Sequence, residues 1–405
     1  MARNIVVIGG GPAAVFAAIE ARKKDAAAAV TLVTEEACEP YEKPPLSKAV
    51  LLGKVNPEDA PIAGPGGLAG HGVVVQLNTR CTAIDRAARQ IVTTGGALPY
   101  DALVIATGSS MRDLPLLPMG MPRVHYLRTE SHARAIKAGL AACKHLVVIG
   151  AGLIGLEAAA SAAELGIEVT VIEFAPRIMA RACDEETGAI ILAEHRHHGV
   201  DFDLSASVTQ VTAQRDGTIA LETSGGELYV ADLVLVGTGV KPDDALAAAA
   251  GLDVQDGIVV DEQCRTSDPN IFAAGDVTRF ATPQGAVRLE NWRHAQDHGA
   301  VAGRNAAGAS DSYNTVPSYW SEQYDLYIQG IGWPDAAARK VRRPLPGKSE
   351  LLMEVRDGRI IHALGINAQR DLAAIRRLIE RSIPVDAEAL ADPAKPFNAM
   401  LKAKV

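Results

Sequence analysis

The 405-residue sequence predicts an α/β protein with two parallel-sheet domains of one design and a smaller C-terminal α+β domain. Three observations lead to this prediction. A β-branched run that ends in glycines occurs twice, at residues 4–11 and 145–152. Each run is followed by an alanine-rich helical pattern and then by a second buried-strand pattern. From about Pro317 onward, no glycine-rich run of this kind recurs.

Each glycine-rich run begins a strand–helix–strand unit. The helices are predicted at residues 12–24 and 153–165, and the next strands at residues 30–33 and 168–172. Both copies continue with a further strand, a meander with a Gly-Gly hairpin turn, and a closing strand before a Thr-Gly pair. The two copies therefore predict two domains built on the same plan.

The C-terminal part has a different pattern. Strands are predicted at residues 351–355 and 359–366 around an Asp-Gly turn, followed by a basic amphipathic helix at 371–381. The predicted boundaries are 1–108 with 237–316 for the first domain, 109–236 for the second, and 317–405 for the third.

Composition limits the classes of function. A formal charge of −8 and an isoelectric point near 5.7 argue against nucleic acid as a partner. No run of about 18 apolar residues occurs, and the first apolar run leads straight into glycines, unlike a secretory signal. We therefore expect a cytoplasmic protein with no membrane partner. The five cysteines have neither C-x-x-C nor zinc-ligand spacing, so no metal site is predicted.

The first glycine motif predicts a dinucleotide site. Gly9 permits a tight turn, Gly11 lets the backbone approach a diphosphate, and Ala14 lets the helix pack close to the sheet. The phosphates then lie at the positive end of the helix dipole. Glu35, after the next strand, is placed to accept hydrogen bonds from a ribose.

The second motif has all three glycines, Gly150, Gly152 and Gly155. Glu173 ends the following strand, and a carboxylate there favours the 2′-hydroxyl of NADH over the 2′-phosphate of NADPH. Arg177 and Arg181 follow closely and leave NADPH open as an alternative.

Two dinucleotide sites on one chain indicate an electron relay. A hydride that leaves a nicotinamide needs an acceptor within reach, and a flavin is the usual one. The segment that ends in Gly275 and Asp276 is placed to aim a carboxylate at ribityl hydroxyls.

The order of these motifs resembles the FAD-dependent, NADH-linked ferredoxin reductases, which have a glutathione-reductase-like arrangement of two Rossmann-like domains. The most specific element is residues 41–48, which resembles the family's Y-x-R-P-P-L-S-K segment. Lys43 replaces the arginine there, which removes a bidentate contact. Lys48 is retained, and in the family this lysine lies beside the flavin ring.

The resemblance implies a set of site residues. Lys48, Glu157 and Trp320 are the expected catalytic residues. The expected contacts of FAD and NADH are Gly9, Gly11, Pro12, Ala13, Ala14, Glu35, Lys43, Lys48, Cys81, Ala106, Thr107, Gly108, Arg128, Gly150, Gly152, Leu153, Ile154, Gly155, Glu157, Glu173, Gly237, Gly275, Asp276, Glu290, Asn291 and Trp292. The family often has asparagine where His294 stands, and the role of His294 is left open.

The resemblance also implies a partner, a small iron–sulfur ferredoxin that serves a monooxygenase or a Rieske-type oxygenase. The oligomeric state is left open. A basic cluster in the third domain is a candidate for steering an acidic partner, with a solvated charge run as the alternative. The cluster consists of Arg339, Lys340, Arg342, Arg343 and Lys348.

Two other functions share the predicted fold. NADH oxidases, peroxidases and disulfide reductases carry a redox cysteine near the flavin, but the first helix here contains none, and Cys38 follows Glu35 too closely. A redox or interaction protein resembling apoptosis-inducing factor is the other alternative. Such proteins usually carry targeting segments and insertions that are not evident in this sequence.

Overall fold

The computed structural model describes residues 2–282 and 285–401. Its α-helices, in chain order, are α1 (Pro12–Lys24), α2 (Glu130–Leu140), α3 (Leu153–Glu164), α4 (Glu185–His197), α5 (Ala245–Ala249), α6 (Trp292–Ala306), α7 (Gln369–Glu380), α8 (Ala387–Ala391) and α9 (Phe397–Met400). Its strands are β1 (Asn4–Ile8), β2 (Ala29–Val33), β3 (Val74–Gln76), β4 (Cys81–Asp85), β5 (Gln90–Thr93), β6 (Gly96–Pro99), β7 (Ala102–Ile105), β8 (Ser109–Met111), β9 (Val124–Tyr126), β10 (His145–Ile149), β11 (Glu168–Glu173), β12 (Val200–Leu204), β13 (Val208–Ala213), β14 (Ile219–Thr223), β15 (Leu228–Ala231), β16 (Leu233–Val236), β17 (Val240–Pro242), β18 (Ile258–Val260), β19 (Ile271–Ala273), β20 (Thr278–Thr282), β21 (Gly285–Val287), β22 (Ser318–Gln323), β23 (Leu326–Gly332), β24 (Arg339–Pro344), β25 (Glu350–Arg356) and β26 (Arg359–Ile366).

The first of two compact units contains the first glycine motif. It comprises the described parts of Met1–Pro45, Val55–Arg112 and Val240–Thr315. Its main sheet is parallel, in the order β19-β7-β1-β2-β3. The central strands are buried on both faces and therefore consist of continuous apolar residues rather than an alternating pattern.

Helices α1 and α6 of this unit pack unusually close together. A Cβ atom on Gly299 would lie 2.3 Å from the carbonyl oxygen of Ala13, and one on Gly303 would lie 2.0 Å from that of Ala17. Only glycine leaves room for this approach. The same contact explains why α1 is rich in alanine, since larger side chains would push the helices apart.

The second unit repeats the plan of the first. It comprises the described parts of Leu46–Lys54, Asp113–Gly239 and Val316–Val405. Its parallel sheet has the order β9-β16-β10-β11-β12, in which β16, β10, β11 and β12 correspond to β7, β1, β2 and β3. The outer strands differ in chain order, since β9 precedes β10 whereas β19 follows β7. Each unit also has a three-stranded antiparallel meander, β4-β5-β6 in the first and β13-β14-β15 in the second. The predicted duplication is thus confirmed.

The C-terminal residues of the second unit form an antiparallel sheet in the order β22-β23-β26-β25-β24. Helix α7 packs on it through Leu372, Ile375 and Leu378, which recur at helical spacing and are buried. The predicted α+β character of this region is confirmed. The chain separates into two compact units, and the second of them includes the C-terminal region. The division into three domains therefore stays a prediction. No helix in residues 2–282 or 285–401 has the length and apolarity that crossing a bilayer requires.

Candidate active site

The first glycine loop is shaped by backbone rather than by side chains. Gly9 has a φ of +133°, and a Cβ atom there would lie 2.2 Å from the carbonyl oxygen of Ala106. Its virtual Cβ also lies 3.5 Å from the Cβ of Ala14, so the helix packs directly against the loop. Helix α1 begins at Pro12 after Gly11, which has no side chain to cap it.

The second loop has the same construction. Gly150 has a φ of +101°, and its virtual Cβ lies 2.7 Å from the carbonyl oxygen of Gly237. A Cβ on Gly155 would lie 2.2 Å from the carbonyl oxygen of Gly150, so this position also requires glycine. Helix α3 begins at Leu153 after Gly152 and again has no side-chain cap, while Ile154 points into solvent.

These two helix starts differ from the starts of α2, α4 and α6, where a side chain accepts a hydrogen bond from a first-turn amide. The capping residues there are Thr129, Asp184 and Asn291. The first-turn amides of α1 and α3 have no such acceptor. Both loops therefore fit the diphosphate of a dinucleotide, which supplies oxygen acceptors and negative charge at the helix start.

The strand register shows which residues of the two units occupy equivalent positions after the glycine loops. Gly150 N donates to Ile172 O at 2.8 Å, and the corresponding bond in the first unit runs from Gly9 N to Val33 O at 2.9 Å. The counterpart of Glu173 is therefore Thr34, and Glu35 lies one residue further along. Glu35 is exposed and pairs with Arg80 at 3.7 Å, so its contact with a ribose stays a prediction.

Glu173 is held in place by backbone amides. Its two carboxylate oxygens accept from Ala151 N at 2.6 Å and from Ala175 N at 2.7 Å. The nearby Arg177 donates to the carbonyl oxygens of Cys183 and Ala180, both at 2.8 Å. The guanidinium of Arg177 is therefore engaged by carbonyl oxygens of its own loop. Arg177 was one of the two arginines that kept NADPH as an alternative in the sequence analysis.

The segment after Glu35 places Lys43 over the first loop. A Cβ on Gly11 would lie 3.8 Å from Lys43 Cε. The ammonium pairs with Glu36 at 3.1 Å and lies 4.8 Å from the centre of the Tyr41 ring. Sequence reasoning missed Glu36, although an acid beside a predicted ribose acid was the available signal.

Asp276 lies in a single helical turn, Gly275–Val277, that follows β19. Its Oδ2 accepts a hydrogen bond from Ser109 Oγ at 3.1 Å. Thr107, close to Ser109 in sequence, donates through Oγ1 to the carbonyl oxygen of Asp243 at 2.8 Å. Ser109, which directly follows the Thr-Gly pair, therefore contacts Asp276 within the first unit.

The start of α6 is fixed by two side chains. Asn291 Oδ1 accepts from His294 N at 2.8 Å, and Trp292 Nε1 donates to Glu42 Oε2 at 2.6 Å. Burial raises the pKa of the Glu42 carboxyl, although the hydrogen bond from Trp292 opposes this rise. Glu290 pairs with a neighbouring arginine at 2.8 Å rather than with the helix start.

His294 lies inside the first unit and is fully buried. Its Nδ1 lies 2.8 Å from the Tyr313 hydroxyl, and its ring stacks against those of His298 and Phe280. Burial lowers the pKa of His294 to about 4. His294 is therefore neutral near pH 7 and packs in an aromatic cluster.

Lys48 and Glu157, which the sequence separates widely, lie together in the second unit. The Lys48 ammonium is 3.4 Å from one carboxylate oxygen of Glu157 and 3.8 Å from Glu322. Glu157 is only 6% exposed, and its carboxylate also accepts from the hydroxyls of Ser47 and Ser321, the latter at 2.7 Å.

Sequence reasoning missed both of these serines. Each stands next to or near a predicted residue, Ser47 before Lys48 and Ser321 after Trp320, and this proximity was the signal that could have found them.

Of three further predicted residues, Trp320 is joined to the Lys48 group through Glu322. Trp320 is half-buried on β22 and donates through Nε1 to Glu322 at 3.2 Å. Arg128 is half-buried directly before the residue that caps α2. Cys81 donates its thiol hydrogen to the carbonyl oxygen of Ala83, and burial raises its thiol pKa to about 11.

The predicted basic cluster in the C-terminal region does not form one exposed patch. Arg343 is 3% exposed, lies 3.8 Å above the Phe397 ring and donates to backbone carbonyl oxygens. Arg342 and Lys348 are paired with acidic side chains of the same unit. The steering role of this cluster stays a prediction, and its exposed members outside these internal contacts are Arg339 and Lys340.

Comparisons with known proteins identify the family of this chain. A family model described as pyridine nucleotide-disulphide oxidoreductase matches residues 3–299, and one described as reductase C-terminal matches residues 318–401. The ferredoxin–NAD(+) reductase component of an anthranilate 1,2-dioxygenase system from Burkholderia cepacia is 39% identical, over 98% of each chain. Rhodocoxin reductase from Rhodococcus erythropolis is 37% identical, over 96% of this chain and 92% of its own. The crystal structure of a covalent putidaredoxin reductase–putidaredoxin complex matches with a TM-score of 0.93, 31% identity and 98% coverage of both chains.

Proposed function

The chain belongs to the pyridine nucleotide-disulphide oxidoreductase family, and from this membership we propose that it is an NADH-dependent ferredoxin reductase. The observation that carries the proposal is the pair of uncapped glycine loops, one in each compact unit. Each fits one dinucleotide diphosphate. The relatives named ferredoxin–NAD(+) reductase match almost the whole chain, so the proposal extends to the C-terminal region as well.

The flavin is proposed to be FAD, in the first unit, with NADH in the second. FAD is a dinucleotide and needs a diphosphate cradle, which the loop at Gly9 and Gly11 supplies. The acceptor is proposed to be an iron–sulfur ferredoxin that serves an oxygenase. Each NADH carries two electrons, so two one-electron acceptors are reduced and one proton is released.

When bound, the flavin supplies the chemistry that links two-electron NADH to one-electron acceptors. The protein supplies binding, orientation and charge. The two loops hold the diphosphates, while Asp276 and the start of α6 are the proposed contacts for the flavin end. Lys48 is held between two carboxylates, Glu157 and Glu322, which keep its ammonium at a defined position.

NADH is proposed over NADPH. Glu173 has both oxygens fixed by backbone amides, so its negative charge remains at the end of β11. That charge repels a 2′-phosphate, and Arg177 is engaged elsewhere and does not offset it.

A disulfide-reductase or peroxidase function finds no support in four of the five thiols, Cys81, Cys143, Cys183 and Cys264. Burial raises the thiol pKa of Cys81, Cys143 and Cys183 to about 11, and that of Cys264 still further. A redox-active cysteine needs a lowered pKa. No disulfide is present among residues 2–282 and 285–401.

The test is an anaerobic titration of the purified protein with NADH. We expect a yellow protein whose released cofactor is identified as FAD by chromatography and whose visible absorbance bleaches with one NADH per flavin. Addition of a plant-type ferredoxin, a Rieske-type ferredoxin or a rubredoxin then identifies which acceptor restores the flavin spectrum. A colourless protein that FAD does not reconstitute contradicts the proposal.

A further inference from the structure

A buried line of polar side chains extends from Glu157 through the second unit. Ser321 Oγ lies 2.7 Å from Glu157 Oε1, and Gln323 Nε2 lies 3.0 Å from Ser321 Oγ. Gln323 Oε1 lies 2.8 Å from His195 Nε2, and His195 Nδ1 lies 3.3 Å from the Tyr324 hydroxyl. Ser321, Gln323 and His195 are fully buried.

Each hydrogen bond in this line has only one possible direction. A carboxylate only accepts, so the Ser321 hydroxyl donates to Glu157. The remaining Ser321 lone pairs then accept from the Gln323 amide nitrogen. This orientation turns the amide oxygen of Gln323 toward His195.

The same reasoning fixes the histidine. An amide oxygen only accepts, so His195 carries its proton on Nε2. Burial lowers the pKa of His195 to about 4, so the ring is neutral near pH 7 and has a single N–H. Nδ1 is then unprotonated and accepts from the Tyr324 hydroxyl.

We propose that His195 and Gln323 are positioning residues for the reaction with NADH, acting through Ser321 on the Glu157 carboxylate. This inference rests on the proposed function. All four bonds point toward Glu157, and hydrogen bonds aligned in one direction polarise one another. The arrangement secures Ser321 as a donor to Glu157 Oε1, the oxygen that also lies nearest the Lys48 ammonium.

Removing the His195 donor removes the stronger contact that fixes this direction and leaves only the long one from Gln323 Nε2 to Met179 Sδ, at 3.9 Å. The Gln323 amide is then free to rotate by half a turn and present its oxygen to Ser321. The Ser321 hydroxyl would donate to that oxygen, and Glu157 would lose its buried donor. The Glu157–Lys48 contact, at 3.4 Å, would then depend on Ser47 and on the weaker contact with Glu322 N.

Two substitutions of His195 separate this role from packing. The amide nitrogen of glutamine reaches where the Nε2–H lies, whereas asparagine reaches only the Nδ1 position. We expect His195→Asn to lower the limiting rate of anaerobic flavin reduction by NADH about tenfold, as for the loss of one buried hydrogen bond. His195→Gln should stay close to wild type, and the dissociation constant of NADH should be unchanged in both. Equal slowing of both variants, or no slowing of either, overturns the proposal.

A double substitution tests the path. If the effect of His195 passes through Ser321, then Ser321→Ala makes the choice between Gln and Asn at position 195 irrelevant. We therefore expect equal reduction rates for Ser321→Ala/His195→Gln and Ser321→Ala/His195→Asn. A rate difference as large as that between the single variants overturns the path.

A spectroscopic measurement needs no turnover. Long-range ¹H–¹⁵N correlation of the ¹⁵N-histidine-labelled protein distinguishes the two neutral tautomers, and the signals absent from His195→Gln assign residue 195. We expect the Nε2–H tautomer at pH 7, and an Nδ1–H tautomer or a charged ring overturns the inference. Failure of wild type to be reduced by NADH would overturn the proposed function and the rate prediction together, whereas a wrong tautomer in an NADH-reducible protein overturns the inference alone.

Discussion

At the scale of single residues, Glu173 is the acid proposed to set the dinucleotide preference of the second glycine loop. Glu173 ends β11, and its two oxygens accept hydrogen bonds from the amides of Ala151 and Ala175. A carboxylate fixed in this way keeps its position at low entropic cost. The first unit has Thr34 at the corresponding position, so the two loops differ in charge although they share a backbone shape.

Glu173→Gln should raise selectivity for NADPH. The amide keeps the shape of the side chain, removes the charge that opposes a 2′-phosphate, and replaces one of the two acceptor oxygens with an NH2 group. We expect the ratio of kcat/KM for NADPH to that for NADH to rise about tenfold, a change of about 1.4 kcal/mol. Glu168→Gln is the matched control, because Glu168 is an exposed acid at the other end of the same strand. An equal ratio in both variants would refute the role of Glu173.

At the scale of elements, the α1–α6 contact holds the proposed flavin-binding residues together. Helix α1 begins at the first glycine loop, and α6 begins at Trp292 beside Glu42. Gly299 and Gly303 let the two backbones approach within a distance that no Cβ atom permits. The two helix starts are thereby fixed relative to each other within one unit.

Gly303→Ala should destabilise the first unit. Alanine normally favours a helix by about 1 kcal/mol over glycine, but here its Cβ would lie 2.0 Å from the carbonyl oxygen of Ala17. We expect a net loss of about 1–3 kcal/mol in the free energy of unfolding, with reduced flavin content on purification. Gly70→Ala is the control, since its Cβ would meet no atom within 4 Å. Equal urea midpoints for the two variants would contradict the close contact.

At the scale of the whole molecule, buried neutral histidines make stability depend on pH. Burial lowers the pKa of His195 and His294 to about 4 and that of His298 well below its ordinary value. Each side chain binds a proton more readily in the unfolded chain than in the folded one. Stability therefore falls as the pH drops below about 6.5 and continues to fall toward pH 4.

The urea midpoint of unfolding should decrease between pH 7.5 and pH 5. Each such histidine contributes a slope of about 1.4 kcal/mol per pH unit in the window between its two pKa values. His195→Gln removes one of them and should give a shallower decrease than wild type. His71→Gln is the control, since His71 is only half-buried. A pH dependence identical in wild type and His195→Gln would show that His195 is not neutral when folded.

Local signals explain most of what the sequence predicted correctly. The predicted helix at residues 12–24 coincides with α1, and the helix at 153–165 differs from α3 by one residue. The period of the apolar residues and the positions of the glycines are local properties of the chain. They therefore predict the helix bounds without knowledge of the tertiary contacts. The acid that follows β2 was harder to assign from the sequence. Glu35 lies one residue beyond Thr34, which is the position equivalent to Glu173.

The sequence by itself determined the two glycine loops, the duplicated parallel sheets and the family, because each depends on residues that are close together in the chain. Only the tertiary structure decided the environment of Glu157 and the contacts that the members of the basic cluster make. Ser47, Glu157, Ser321 and His195 come from distant segments, and the directions of their hydrogen bonds exist only once those segments meet. Likewise, the sequence shows that Arg343 is charged but not that it is buried. Its burial and its carbonyl partners depend on segments that meet only in the folded chain.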